Sequence, residues 1–438
     1  MTELDRELPE GYKMTELGPL PEEWEVVKLG DVAEYINGYA FKPSQWKKKG
    51  LPIVRIQNLT QSTNEINYFD GIIDKKYMVK NEDILISWSA SLGVFKWGGG
   101  NAWLNQHIFK VDNYSDNILK EYFYYIVMTK IDFMKTKTRG STMHHITKKE
   151  FLAVDIPLPP LPEQRKIAAV LSTVQEAKEK TEAVISAAKS LKKSMMSYLF
   201  TYGPVPLPDA ENISQKETEI GMIPEEWEVV NLSEVINLRR GVSWRKEEAN
   251  REGIGIPVVG IPNIKENGSI DFSNTYFLNK NISEEKILRM NDILFVSSSG
   301  SIKNIGRNVL IREIPQNRFT YASFTFLGRV SSMKADSEYL FYLLNSRVVD
   351  FTKYARRASD GKYNFQLTQF KNEQKIPLPP LPEQEKIASM LSAIDEKIEA
   401  EENKKKALED LFNTLLHNLM TARIRVNHLA LDKAELAM

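Results

Sequence analysis

The feature that most constrains the fold is a nine-residue segment, IPLPPLPEQ, found at 156–164 and again, letter for letter, at 376–384. Its four prolines hold each copy in an extended conformation, so neither copy can be helix or central strand. After Pro162 no proline or glycine follows until Gly203, and after Pro382 none follows in the remaining sequence. Proline is favoured at the first helical position, and the glutamate behind it suits the positive end of the helix dipole. Each nine-mer therefore predicts the start of a long helix.

Three further pairs of segments show that the chain is a tandem duplication. TELGPLPEEWEVVKL at 15–29 matches TEIGMIPEEWEVVNL at 218–232, LPIVRIQNL matches IPVVGIPNI, and NEDILIS matches MNDILFV. The distance between partners grows from 203 residues in the first pair to 220 in the nine-mers, so the second copy carries additional residues. Two copies of one globular module, each followed by one long helix, imply two equivalent tasks.

Composition favours an ordinary globular protein, because 42% of the residues are hydrophobic and 26% are charged. The sequence has no run of 18 apolar residues and an acidic start, MTELDRELPE. We therefore expect no membrane span, no secretory signal and a cytoplasmic location. The absence of cysteine excludes disulfides and cysteine-ligated metal sites. Formal charge is zero, but basic clusters occur inside the modules at 130–149, 235–246 and 353–362.

Apolar and small residues recur with alternating spacings of three and four along both long helices, which predicts a coiled-coil seam. About 40 residues at roughly 1.5 Å per residue give a rod of about 60 Å. A pseudo-twofold relation between the copies would make the helices antiparallel, with a module at each end, although the residues alone leave a parallel pairing open. The predicted seam consists of Ile167, Val174, Val184, Leu191, Leu391, Ile394, Ile398, Leu408 and Leu415.

Each module has the pattern of a mixed α/β (α+β) domain, with short β-branched strands and an amphipathic helix at 116–130 or 337–351. A basic, glycine-containing loop is predicted after each helix, at 135–146 and 355–367. The predicted organisation is an N-terminal segment (1–20), a first module (21–156), a proline ramp and central helix (157–203), a linker (204–222), a second module (223–376), a proline ramp and C-terminal helix (377–425) and a tail (426–438).

No catalytic constellation is recognisable in the sequence. Gly361-Lys362 lacks the upstream glycine of a phosphate-binding loop, and GIGIPVVG at 253–260 has the wrong spacing for a dinucleotide site. His144-His145 has no carboxylate partner at ligand spacing, so we predict no metal site. The sequence thus favours a non-catalytic binding protein that holds no metal and no cofactor.

The two PEEWEVV openings, the DILIS-type strand and the IPLPPLPEQ segment leading into a long helix resemble the specificity subunit of type I restriction-modification systems. The resemblance implies that each module is a target recognition domain for one half of a bipartite, asymmetric double-stranded DNA site. It also implies that the helices set the gap and dock two adenine methyltransferase subunits, which hold S-adenosylmethionine. Motor-nuclease subunits, which use ATP and magnesium, would join this complex.

Under this interpretation, loop residues with basic or polar side chains contact DNA. The candidates in the first module are Lys96, Arg139, Ser141, Thr142 and His144, and those in the second are Arg239, Arg240, Arg245, Arg356, Arg357, Lys362 and Asn364. A competing interpretation is a coiled-coil scaffold with two protein-interaction modules. It explains the duplication but not the basic loops.

Overall fold

The computed structural model describes residues 8–89, 91–137, 147–265, 268–315 and 318–426. The chain divides into a first unit, Met1–Glu182 with Asn403–Met438, and a second unit, Ala183–Glu402. The helices are α1 (Leu29–Val32), α2 (Ile56–Leu59), α3 (Lys120–Lys137), α4 (Lys148–Leu152), α5 (Leu161–Tyr202), α6 (Ser337–Leu344), α7 (Leu367–Glu373) and α8 (Leu381–Met420). The long helices α5 and α8 each contribute one part to each unit. Within the described ranges, no helix combines the length and apolarity that crossing a membrane requires.

The first unit contains two four-stranded sheets. One has the strand order β4-β11-β8-β9 and is antiparallel, and the other has the order β6-β5-β10-β7 with a parallel pair, β5 and β10. The strands are β1 (Tyr12–Thr15), β2 (Gly18–Pro21), β3 (Glu25–Lys28), β4 (Glu34–Asn37), β5 (Leu51–Val54), β6 (Asn67–Phe69), β7 (Met78–Val79), β8 (Ile84–Ser87), β9 (Gly93–Lys96), β10 (Ala102–Leu104), β11 (Ile108–Asp112) and β12 (Asp155–Leu158).

Both faces of the β4-β11-β8-β9 sheet are buried. Ile84 and Phe109 belong to the core that the sheet forms with α3, whereas Leu85 and Ile108 pack with residues of the second sheet. Because successive strand side chains point to opposite faces, a fully buried run such as ILIS in β8 fits this two-sided packing.

The second unit repeats this design. Its antiparallel sheet β16-β24-β20-β22 packs with α6 on one face, and the sheet β17-β19-β18-β23 again contains one parallel pair. Its strands are β13 (Gln215–Thr218), β14 (Gly221–Pro224), β15 (Glu228–Asn231), β16 (Ile236–Arg240), β17 (Ala249–Asn250), β18 (Ile256–Val259), β19 (Tyr276–Leu278), β20 (Ile293–Val296), β21 (Ser298–Ser299), β22 (Asn308–Leu310), β23 (Thr320–Tyr321), β24 (Thr325–Val330), β25 (Ala355–Arg357), β26 (Tyr363–Phe365) and β27 (Lys375–Leu378).

The repeated sequence segments pair with each other. The EVV stretch of each opening forms an antiparallel ribbon with the strand that contains the first three residues of the nine-mer, β3 with β12 and β15 with β27. The buried Trp24 donates its indole N–H to Glu163 Oε2 at 2.8 Å, and Trp227 donates to Glu383 Oε2 at 3.0 Å. The duplicated segments therefore form the same contact in each unit, between a module and its long helix.

The glutamine of each nine-mer contributes to the same contact. Gln164 and Gln384 are completely buried. Gln384 donates to the carbonyls of Lys334 at 2.8 Å and Pro379 at 2.7 Å, and its Oε1 accepts the Asp336 N–H at 2.9 Å. Gln164 makes the corresponding three bonds in the first unit. A buried amide with every bond satisfied fixes the loop before the module's helix against the helix start.

The two long helices are antiparallel within each unit. In the first unit Lys405 pairs with Glu182 at 3.0 Å, while Lys178 lies over the Phe412 ring. In the second unit Lys189 pairs with Glu402 and Lys192 with Asp395, both at 2.6 Å. In both cases the residue number rises along one helix as it falls along the other.

The predicted seam is wrong at two positions. Val184 is 41% exposed and Leu191 is 53% exposed, whereas Leu171, Ile185 and Leu199 are buried. The residue four positions after Ile167, Thr181 or Met195 is buried, whereas the residue three positions after it is not. Lys178 and Lys192 lie in the same row of α5, and because they are charged the apolar pattern of the sequence does not show that this row is packed. Their apolar stems cover the face while their ammonium groups reach partners on α8. Of the other predicted seam residues, Ile167, Leu391 and Ile398 are buried, and Val174, Ile394, Leu408 and Leu415 are partly buried.

Arg425, beyond the end of α8, binds the start of α5. Its guanidinium donates to Glu163 Oε1 at 2.6 Å and to Glu23 Oε1 at 2.6 Å, and it lies over the Trp24 ring. The hydrogen bond from Arg425 is the main reason that the pKa of Glu23 lies below its ordinary value.

We expect Arg425→Ala to destabilise the first unit at neutral pH. A carboxyl group with a lowered pKa in the folded state stabilises the fold above its unfolded pKa of about 4.3, and this contribution disappears as pH falls through the folded pKa. The difference in urea midpoint between wild type and variant should therefore shrink below about pH 4. Lys28→Ala, which removes an exposed pair with Asp155, is the control. An equal effect of the two substitutions at neutral pH would contradict this role of Arg425.

Candidate nucleic-acid interface

Within the basic segment 355–367 of the second unit, residues 355–365 form a β-hairpin rather than the predicted loop. Strands β25 and β26 pair in antiparallel register, and the Ala358 N–H donates to the Lys362 carbonyl at 2.7 Å across the turn. Gly361 has φ of +83°, which glycine adopts without strain. The Asp360-Gly361 pair was the available signal, because this dipeptide is typical of tight hairpin turns.

The predicted helix 337–351 is also shorter in the structure, since α6 ends at Leu344. The Asn345 side chain donates to the Phe341 carbonyl at 2.8 Å, and its backbone N–H donates to the same carbonyl at 3.2 Å, so this residue caps the helix end. The residues released from the helix lead directly into the hairpin.

The hairpin belongs to a three-stranded sheet, β21-β26-β25, that carries polar side chains in one row. Arg356 lies opposite Asn364, which in turn lies opposite Ser298. Residues opposite each other on paired strands project from the same face. Arg356 and Asn364 are exposed, whereas Ser298 is buried. Arg356 and Asn364 are therefore exposed cross-strand neighbours on one face of this sheet.

The remaining hairpin candidates are exposed around this row. Arg357 lies opposite Tyr363 on the alternate face, and Lys362 follows the turn with its ammonium group 3.8 Å from Asp360. Arg356 Nη1 donates to the carbonyls of Lys353 and Ala355 at 3.1 and 3.2 Å.

The other three arginines predicted in the second module have different surroundings. Arg240, at the end of β16, pairs with Phe326, whose ring stacks on Phe365 of β26 at 5.0 Å. Arg239 projects from the opposite face of β16 and forms an ion pair with Glu285. Arg245 is exposed, and its backbone N–H donates to Glu248. Of these three arginines, Arg240 is thus the one whose strand partner packs on the hairpin.

In the first unit the structure describes one of the five candidates. Lys96 ends β9 and holds its ammonium group 5.1 Å from the centre of the Tyr124 ring on α3. Arg139, Ser141, Thr142 and His144 lie outside the described residues. The DNA contacts predicted for both modules stay predictions.

Across the described ranges, histidine, aspartate and glutamate side chains form no group of three or more that could hold a metal ion. Arginine, lysine, asparagine and serine side chains on a hairpin are groups for binding phosphates and base edges.

A family model described as "Type I restriction modification DNA specificity domain" matches residues 21–187 and again residues 224–410. The chain belongs to this family. The two matches correspond to the two sequence copies, so the family assignment, the tandem repeat and the resemblance predicted from the motifs are confirmed.

One curated relative covers nearly the whole chain and another covers about two thirds of it. The specificity subunit of the type I restriction enzyme MjaVIII of Methanocaldococcus jannaschii is 31% identical over 420 residues, 94% of this chain and 95% of that protein. The EcoBI specificity subunit of Escherichia coli is 27% identical over 304 residues, 66% of this chain and 62% of that protein.

Solved structures show the same fold. The crystal structure of a type I restriction-modification S subunit from M. genitalium has a TM-score of 0.59 at 15% identity and covers 91% of this chain and 96% of its own. A second structure, described as showing complex assembly and conformational transition of the type I restriction-modification system, has a TM-score of 0.53 at 18% identity and covers 92% of this chain and 98% of its own.

Proposed function

We propose that this chain is the DNA-reading subunit of a type I restriction-modification complex, in which each module reads one half of a bipartite double-stranded site. The observation that carries the proposal is the exposed hairpin of the second unit, which presents Arg356 beside Asn364. The alternative of a protein scaffold gives this arrangement of side chains no role.

The hairpin has the side-chain chemistry of a base reader. The major groove of B-DNA, about 12 Å wide, admits a two-stranded β-ribbon. There, asparagine pairs with adenine and arginine with guanine through two hydrogen bonds each. Arg240, Arg357 and Lys362 are positioned near the ribbon to attract phosphates, and this electrostatic attraction makes binding salt-dependent.

Catalysis belongs to partner subunits in this proposal. Two copies of an adenine methyltransferase subunit would hold S-adenosylmethionine, and motor-nuclease subunits would use ATP and magnesium. Two identical partners need two identical docking surfaces. Each unit carries the same exposed hairpin, β1-β2 in the first unit and β13-β14 in the second. In both copies the hairpin threonine donates to the glycine carbonyl at 2.7 Å, Thr15 to Gly18 and Thr218 to Gly221. Lys13 and Lys216 also make the same bond, to the carbonyls of Glu22 and Glu225.

We expect Asn364→Ala and Arg356→Ala each to reduce discrimination at one base pair by about 1–3 kcal/mol. The measurement is binding of the complete complex to its cognate duplex and to duplexes substituted at each position of one half-site. Discrimination at the other half-site should stay unchanged, which makes it an internal control. A loss of affinity that is equal on all sequences would mark phosphate contacts instead, and binding that is independent of salt would favour the scaffold alternative.

A further inference from the structure

The two units share a tight turn that their sequences do not reveal. It spans 105–108 before β11 and 322–325 before β24. In the first unit the Ile108 N–H donates to the Asn105 carbonyl at 3.1 Å, and in the second the Thr325 N–H donates to the Ala322 carbonyl at 2.9 Å. No identity relates LNQHIF to YASFTF beyond the final phenylalanine. The equivalence rests on backbone geometry alone.

Each turn is held rigidly from two sides. The Trp88 N–H donates to the His107 carbonyl, as the Ser297 N–H does to the Phe324 carbonyl at 2.9 Å. On the other side, the backbone directly after β4 or β16 lies very close to the turn. A Cβ on Gly38 would overlap the Asn105 carbonyl, and a Cβ on Gly241 would overlap that of Ala322.

The third residue of each turn presents a planar ring to the solvent. Phe324 is 59% exposed, and His107 is exposed with its ring centre 5.6 Å from that of Trp88. A single exposed apolar side chain is common on proteins. A ring at the same place in both units, on a turn braced by the same contacts, indicates a shared task for that ring.

The turn of the second unit adjoins the candidate DNA interface. Ser297, which donates its N–H to Phe324, accepts the Phe365 N–H at 2.8 Å through its carbonyl. Asn364, the amide of the hairpin row, precedes Phe365. Arg240 precedes Gly241, whose N–H donates to the Thr325 carbonyl at 3.2 Å. Backbone hydrogen bonds therefore join the turn to the residues that directly follow Arg240 and Asn364.

We propose that Phe324, and His107 in the first module, stack on a nucleobase at a disturbed base step within their half-sites. This inference rests on the proposed function. Aromatic rings stack on bases regardless of their identity, and side chains that insert between base pairs open the step and kink the duplex. A rigid turn suits this role because its ring needs no ordering on binding.

The test uses the assembled complex with its methyltransferase partner and cognate duplexes that carry 2-aminopurine at successive positions of the half-site. Wild type should raise the fluorescence at one position, and Phe324→Ala should abolish this rise and weaken binding by about 5- to 150-fold. Phe324→Trp should retain both properties. Met333→Ala, at an apolar residue of the second unit that is 96% exposed, is the matched control and should behave as wild type.

Three results would overturn the inference: unchanged fluorescence in wild type at every position, an affinity of Phe324→Ala within twofold of wild type, or full retention of affinity and fluorescence by Phe324→Leu. The DNA motif that the complex methylates distinguishes failure of the stacking inference from failure of the proposed function. If one of these results is found and the complex with Phe324→Ala still methylates its motif, only the stacking inference is wrong. For the first half-site, His107→Ala should reproduce the loss there and leave the second half-site unaffected.

Discussion

Replacing Arg329 with alanine should destabilise the second unit by about 3–5 kcal/mol, because it leaves a buried carboxylate without its partner. Asp292 is 1% exposed, and the guanidinium of Arg329 reaches its two oxygens at 2.7 and 2.6 Å. A third bond joins Arg329 to the Ile287 carbonyl at 2.8 Å. The ion pair thus ties β24 to the start of β20 and to the loop before it. Urea unfolding of the second unit measures the loss.

Two variants sharpen this test. Arg318→Ala removes an exposed ion pair with Glu284 and should cost less than about 1 kcal/mol. Combining Arg329→Ala with Asp292→Asn removes the buried charge but keeps an acceptor for the Arg289 N–H, so part of the stability should return. Equal losses of unfolding free energy for Arg318→Ala and Arg329→Ala would contradict the larger contribution assigned to the buried Arg329–Asp292 pair.

Replacing Gln384 with alanine should cost about 3–5 kcal/mol, because it leaves the Lys334 and Pro379 carbonyls and the Asp336 N–H without partners in a buried site. Gln164→Ala should have a similar effect in the first unit. Because each glutamine connects a module to its long helix, proteolysis of the folded protein should become faster near 334–336 in the Gln384 variant.

Gln369→Ala is the matched control for the amide. Gln369 makes a surface bond to Glu373 at 2.9 Å, one turn along α7, and such pairs contribute less than about 0.5 kcal/mol. A loss at Gln384 that does not exceed the loss at Gln369 would contradict the role assigned to the nine-mer.

The sequence predicted the parts of the fold that repeat. The strand predictions at 52–56 and 83–88 correspond to β5 and β8. The long helices begin inside the nine-mers, at Leu161 and Leu381, so the prediction that no part of a nine-mer is helical is wrong for its last four residues. The sequence pattern does not reveal why PEEWEVV and PEQ are both duplicated. The tryptophan of PEEWEVV donates a hydrogen bond to the glutamate of PEQ, from Trp24 to Glu163 over 139 positions and from Trp227 to Glu383 over 156 positions. Such long-range partners leave no local periodicity.

The wrong predictions lie where charged residues occupy packed helix positions or strand positions. Lys178 and Lys192 occupy packed positions of α5, so counting apolar residues favoured Val184 and Leu191 instead. The hairpin 355–365 lies where basic residues and a glycine predict a loop, although Asp360-Gly361 marks its turn. The ring of Phe324 could not be paired with His107 at all, since only backbone geometry relates them.

The proposed role of this chain is to supply the DNA sequence specificity of its complex. Methylated adenines can be mapped in a host that expresses the chain with its methyltransferase subunit and compared with a host that expresses the methyltransferase alone. We predict a single bipartite motif that appears only with the chain present, and that changes in one half when Asn364 is substituted. A complex that assembles and yet methylates no defined motif would contradict this proposed role.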